Sequence, residues 1–239
     1  MIRAVIFDFD GTLVEPKKNS PLVLLGYQRF LQENDLVFSV QSIQNAHKVA
    51  EARWDSFKER QKRPTTFCFE KWFLSALAVK PTLKLSRALH NRWINYREKN
   101  TKLIPWSKKI LKELTKKGVR IGVITNTSDN SNQIIAKHLE INKYIEYFLM
   151  SHKEGTIKSE LKIFHKMLNL FNEGNKNKIK PRECLMVGNN LNEDTAANKI
   201  GMKTAILTRR LELNRNRIHF EPNHYIKSLI EITKIIEKS

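Results

Sequence analysis

Five short apolar runs constrain this chain more than any other feature of it. They are IRAVIF (Ile2–Phe7), VRIGVIT (Val119–Thr125), Tyr147–Met150, CLMV (Cys184–Val187) and TAIL (Thr204–Leu207). Each is rich in branched residues and lacks a polar alternation, the pattern of strands buried on both faces. Helical patterns lie between the later runs. Ser107–Lys117 is amphipathic and is stopped by Gly118, a residue suited to the left-handed turn after a helix. Asn130–Leu139 and Ser159–Leu170 follow, and Asn192 can cap a short helix that ends at Gly201. Strands alternating with helices predict an α/β fold with a three-layer parallel sheet.

Residues 15–100 break the alternation. Ser20 and Pro21 make a cap and first-turn pair, and the helix they start is expected to run to about Asn34. Val40, Ile43, His47, Ala50, Trp54 and Phe57 recur at helical spacing. So do Phe69, Trp72, Phe73 and Leu77, and again Leu85, Leu89, Trp93 and Tyr96. The expected organisation is an α/β core of residues 1–14 and 101–239, interrupted by an all-helical insert, 15–100, with an aromatic core of its own.

Several classes are disfavoured by composition. At 239 residues the chain can bury a substantial core, as one domain or as a core with an insert. No apolar stretch reaches the roughly 18 residues needed to cross a bilayer, so no membrane partner is expected. Ile2–Phe7 is too short for a signal peptide and is interrupted by Asp8 and Asp10, which makes a cytoplasmic protein the expectation. Cys68 and Cys184 form neither a disulfide framework nor a zinc pattern. None of the seven histidines sits in a close metal-binding pair, and His219 and His224 read as surface-loop residues. The net charge of +19 raises the question of a nucleic-acid partner. Yet residues 15–100 hold 16 Lys and Arg against 8 Asp and Glu, so the surplus is spread along the chain, and a nucleic-acid partner is not favoured.

In an open parallel sheet, ligands bind beyond the carboxyl ends of the strands. The first strand ends at Asp8, Asp10, Gly11 and Thr12, and the second at Thr125 and Asn126. The run Cys184–Val187 leads into Gly188, Asn189 and then Asp194, while Lys158 stands at the start of the helical pattern Ser159–Leu170. Carboxylates, a hydroxyl, amides and an ammonium gathered in this way suit a divalent cation and a phosphoryl group.

FDFDGTL, then VITNT, then Lys158 in GTIKSELKIF, then VGNNLNEDTAANKIGM, resemble in order the four motifs of the haloacid dehalogenase superfamily. The resemblance covers most of the core, including the closing HYIKSLIEI, and implies a Rossmann-like core. A helical insert directly after the first motif is similar to the α-helical cap common in that family. By this resemblance Asp8 is the nucleophile, forming an aspartyl-phosphate. Asp10 is the general acid and then the base, a role suited to one of two adjacent carboxylates. Mg²⁺ is the implied cofactor, held by Asp8, the Asp10 backbone carbonyl, Asn189 and Asp194. Gly11 permits the tight turn that lets amide hydrogens face the phosphoryl oxygens, Thr125 and the Asn126 backbone meet those oxygens, and Lys158 balances charge on the nucleophile and the phosphoryl group.

One position departs from the pattern. The family usually has GDxxxxD, and this chain has Gly188-Asn189 and then Asp194. An amide oxygen can bind Mg²⁺ but brings no negative charge, so weaker metal binding is expected. The implied function is a Mg²⁺-dependent phosphatase acting on a small phosphorylated metabolite. Asp10 supplies the acid that phosphate esters need, which the dehalogenase branch typically lacks. The alternatives are a weakly active or inactive binding protein of the same fold, with or without nucleic acid, and a phosphomutase. Arg53, Trp54, Arg60 and Arg63 of the insert are candidate contacts for a second anionic group on the substrate.

Overall fold

The computed structural model describes residues 1–16, 21–59, 67–211 and 220–237. These divide into two units, Met1–Pro16 with Lys102–Ser239, and Lys17–Thr101.

The first unit is built on a parallel sheet. Among the described residues, β1 (Ala4–Phe7), β4 (Arg120–Thr125), β5 (Tyr147–Met150), β6 (Cys184–Gly188), β7 (Lys203–Leu207) and β8 (His224–Ile226) pair in the order β5-β4-β1-β6-β7-β8. β1 is central, with Phe7 level with Val123 on one side and Val187 on the other. Alternate residues of β1 feed different layers. Val5 and Phe7 pack with α5 (Ser107–Lys116), α6 (Ser131–His138) and α9 (Glu231–Glu237), through Ile110, Leu114, Ile135 and Ile232. Ala4 and Ile6 pack with α8 (Lys162–Asn172), through Ile163, Phe164, Met167 and Phe171. Gly122 lets α8 lie close on β4, since a Cβ there would meet Met167 Sδ at 2.6 Å. The three-layer α/β core expected from the alternation is present.

The sequence pattern does not reveal a two-stranded ribbon of β2 (Val14–Pro16) and β3 (Thr101–Leu103). Three residues are too few to show a periodicity. Three further expectations need correction. The helix drawn from Ser159 is broken, because residues 158–160 form a 3₁₀ turn and Leu161 takes φ 62 before α8 begins. Asn192 does not cap the next segment, whose 3₁₀ turn Thr195–Ile200 is preceded by Asp194 and ended by Gly201 at φ 83. His224 opens the edge strand β8 rather than lying in a loop, while His219 is outside the described residues.

The second unit is all-helical among its described residues. It holds α1 (Pro21–Gln32), α2 (Val40–Glu59), α3 (Cys68–Ala76) and α4 (Leu83–Asn100). Tyr27, Phe30, Leu31, Ile43, Phe73, Leu74 and Leu89 form its own core, with Trp72, Trp93 and Tyr96 packed on the margin. The aromatic stripes thus close on one another, as their helical spacing implies. Thr82 caps α4 by accepting from Leu85 N at 3.2 Å, and Ser20, the expected cap of α1, is outside the described residues. Arg53 is exposed and Trp54 half-buried on α2, whereas Arg60 and Arg63 fall outside the described residues. No helix among the described residues is long and apolar enough to cross a membrane.

Candidate active site

The site is made where β1, β4 and β6 end. The backbone of β1 pairs one step beyond the strand, with Asp8 N donating to Val187 O at 2.8 Å. It then turns sharply. Leu13 N and Val14 N both donate to Phe9 O, and Gly11 N donates to Val14 O at 2.8 Å. Gly11 has φ +85, and a Cβ on it would meet Asn189 Nδ2 at 2.6 Å, so both the conformation and the space require glycine. Its own amide is spent within the turn. What Gly11 supplies is the turn and not a donor.

The turn leaves the buried Asp8 carboxylate facing the ammonium of Lys158, at 2.5 Å from Oδ1 to Nζ. Lys158 Nζ also lies 2.6 Å from Asp194 Oδ1, and the lysine side chain is 1% exposed. An ammonium that deep is stable only when paired, and here it bridges two carboxylates. Burial alone would lower its pKa, but Asp194 and Asp8 override that and hold it above the ordinary lysine value. For Asp8 the balance goes the other way. Burial pushes its carboxyl up to about 7, with Lys158 opposing and Asp194 and Asp10 adding to the rise. Asp10 is half-buried beside it.

Asp194 is fully engaged. Its Oδ2 accepts from Asn189 N at 3.0 Å and Asn190 N at 2.9 Å, while Oδ1 serves Lys158. Gly188 makes room for this carboxylate, since a Cβ there would fall 1.9 Å from Oδ2. Asp194 is therefore placed as the partner of Lys158 and the anchor of the loop after β6. The oxygens on the other side of Asp8 are different. Thr12 Oγ1 lies 3.1 Å from Asp8 Oδ2 and 3.1 Å from Asn189 Oδ1, which brings a carboxylate oxygen and an amide oxygen to one spot. Among the described residues no group of three His, Cys, Asp or Glu side chains is gathered as a metal centre. The donor set still fits a hard divalent cation, because it offers oxygens and carries a net negative charge around one buried lysine.

β4 contributes Thr125 and Asn126. Thr125 is buried, and its Oγ1 accepts from Asn132 Nδ2 at 2.9 Å. Asn126 acts through its side chain, Oδ1 accepting from Lys158 N at 3.2 Å, which ties the loop after β4 to the lysine turn. Ser151, which opens the short helix α7 (Ser151–Glu154), ties it to the end of β5. Its hydroxyl accepts from Thr127 N and donates to Thr127 O, both at 2.9 Å. Asp8, Lys158, Asp194, Asn189, Thr125 and Asn126 thus converge from separate stretches of sequence. The links through Asn132, Ser151 and the Thr12 hydroxyl are not visible in the sequence, where each is an ordinary polar residue near a strand end.

The buried ammonium of Lys158, held between two carboxylates, is the group of this cluster that can balance charge building up on a transferring group. The sequence profile of the haloacid dehalogenase-like hydrolases matches residues 2–201. A glyceraldehyde 3-phosphate phosphatase of Pyrococcus furiosus is 34% identical over 118 residues, which is 49% of this chain and 45% of that protein. One from Pyrococcus abyssi is 27% identical over 85% of this chain and 80% of its own. In structure, the HAD-hydrolase YfnB from Bacillus subtilis, solved bound to magnesium, aligns with a TM-score of 0.70 at 14% identity over 99% of both chains. Phosphatases and dehalogenases both occur among the proteins that share the fold. With the profile matched along most of its length and the fold in common, this chain belongs to the haloacid dehalogenase-like hydrolase family.

Proposed function

We propose that the chain is a Mg²⁺-dependent phosphatase that hydrolyses a small phosphorylated metabolite through a phosphorylated Asp8. The observation that carries this reading is Lys158, buried and bridging Asp8 and Asp194 at 2.5 and 2.6 Å. A lysine in that place neutralises a nucleophile approaching a phosphate dianion. The relatives named as phosphatases, including a pyrophosphatase of Clostridium perfringens aligned over 100% of this chain, support the substrate class.

In this reading a carboxylate oxygen of Asp8 attacks phosphorus, the ester P–O bond breaks, and Asp10 gives its proton to the leaving oxygen. Asp10 then takes a proton from water, whose oxygen attacks phosphorus and releases Asp8 with inorganic phosphate. Lys158 offsets the charge of the Asp8 carboxylate before it attacks and again as it leaves, and Asp194 holds Lys158. Thr125 donates to a phosphoryl oxygen. Asp8, the Asp10 carbonyl and Asn189 would hold Mg²⁺, which when bound offsets charge on the phosphoryl group. Asp194, with its oxygens engaged by Lys158 and by the Asn189 and Asn190 amides, would act on the ion through the loop that it anchors. The helical unit takes the part of a cap that sets specificity.

Hydrolysis of p-nitrophenyl phosphate, with and without Mg²⁺, tests the reading. Metal-dependent turnover that falls at least a thousandfold in Asp8→Asn is the expected result, a loss on the order of that for removing a nucleophile. Turnover that survives this substitution would exclude Asp8 as the nucleophile.

A further inference from the structure

The hydroxyl of Thr125 has one proton, and the direction of that proton decides whether it can serve a phosphoryl group. Oγ1 already accepts from Asn132 Nδ2 at 2.9 Å, with Thr125 buried and Asn132 fully buried. An amide NH₂ only donates, so the Thr125 proton cannot return along that line. Asn132 lies in the first turn of α6, and the loop before it is held in place. Asp129 Oδ1 accepts from Ser131 N at 2.6 Å, and Thr127 is locked to Ser151. The pairing of β1 with β4, in which Phe7 is level with Val123, sets Thr125 beside the end of β1 that carries Asp8.

We infer that Asn132 is a positioning residue, whose amide fixes the Thr125 hydroxyl as a hydrogen-bond donor toward the transferring phosphoryl group. The inference rests on the phosphatase reading of Asp8 and adds a residue that the motifs do not contain. A hydroxyl left to itself rotates among acceptors, and in a buried site the nearby carboxylates and carbonyls compete for its proton. Occupying one lone pair with a fixed donor removes part of that freedom before substrate arrives, which is the form of preorganisation that favours a transition state.

The test is a double-mutant cycle of Asn132→Ala and Thr125→Val, read by kcat/KM on p-nitrophenyl phosphate and by calorimetric binding of inorganic phosphate. Thermal melts establish that each variant is folded. In the wild-type background, Asn132→Ala is expected to lower kcat/KM about three- to thirtyfold and to weaken phosphate binding in parallel, less than the loss of a whole donor. In the Thr125→Val background the same change is expected to cost under about twofold, because no hydroxyl remains to be oriented. Asn132→Asp keeps the shape but can only accept while ionised, so it draws the Thr125 proton toward itself and is expected to cost more than the alanine. An equal cost of Asn132→Ala in both backgrounds would overturn the inference, as would wild-type kinetics and phosphate affinity in Asn132→Asp. If Asp8→Asn left turnover intact, the assignment of Asp8 as nucleophile would fail by itself, and the phosphate-binding cycle would still decide the role of Asn132.

Discussion

At the scale of single residues, the site is a balance of buried charges, and two consequences can be measured. Asp8 titrates at about 7 in the folded chain, against an ordinary value of 3.8, chiefly because it is buried. The folded state therefore holds a proton that the unfolded state has lost between about pH 4 and pH 7, and stability falls as pH rises through that window. Asn at position 8 removes the charge. Metal-free Asp8→Asn is expected to melt above the metal-free wild type at pH 8, by an amount on the order of a few kcal/mol, since each tenfold change in proton affinity is worth about 1.4 kcal/mol. The difference should close toward pH 4, and one that did not change with pH would contradict this balance. The second consequence concerns Asn189, whose Oδ1 stands 3.1 Å from the Thr12 hydroxyl that also meets Asp8. Asn189→Asp adds the missing charge among the oxygen donors, and Mg²⁺ affinity measured by calorimetry is expected to rise about ten- to a hundredfold. Asp8, Lys158 and Asp194 were legible in the sequence because their motifs occur in a fixed order. Asn132 and Ser151 were not, since a buried amide or hydroxyl that orients a neighbour has no spacing of its own.

At the scale of elements, the strand ends deliver the site and two glycines set how closely its parts approach. A Cβ at Gly188 would fall 1.9 Å from an Asp194 oxygen that is pinned by two backbone amides. A Cβ at Gly122 would meet the tip of Met167 at 2.6 Å and the Phe171 ring at 3.0 Å, side chains of the core and not of the candidate site. Gly188→Ala is therefore expected to destabilise by about 1–3 kcal/mol and to abolish turnover, whereas Gly122→Ala should keep turnover within about twofold of wild type. Denaturant unfolding and the p-nitrophenyl phosphate assay read both; equal behaviour of the two variants would refute the assignment of Asp194. The buried strands were legible because unbroken β-branched runs have few other uses in a folded core. Local breaks were not. Leu161 takes a left-handed conformation, an uncommon choice for leucine, in order to start α8 after the lysine turn, and nothing in KSELKIF signals it. β2 and β3 are too short for any pattern, and Asp194 rather than Asn192 stands before the 3₁₀ turn, its carboxylate turned to the preceding loop amides and not to a cap.

At the scale of the whole molecule, the chain carries a parallel α/β core interrupted by a helical unit, and the interruption was legible from the change of period after the first strand. Specificity was not. Arg53 is exposed, and Arg60 and Arg63 lie outside the described residues. The charge of +19 is likewise a property of the whole surface, where Lys108 with Glu140 and Lys117 with Glu237 form exposed pairs that contribute little to stability. What unifies the molecule is the claim that one carboxylate, at the end of its central strand, becomes covalently phosphorylated. Trapping that species is the most direct measurement. The enzyme turning over a phosphate ester with Mg²⁺ is quenched in acid, reduced with borohydride, digested, and the peptide containing residue 8 is weighed. An acyl phosphate is reduced to the alcohol, so conversion of Asp8 to homoserine, dependent on substrate and absent in Asp8→Asn, is the expected result. Full turnover with Asp8 unmodified, or with the reduction found at another carboxylate, would contradict the account.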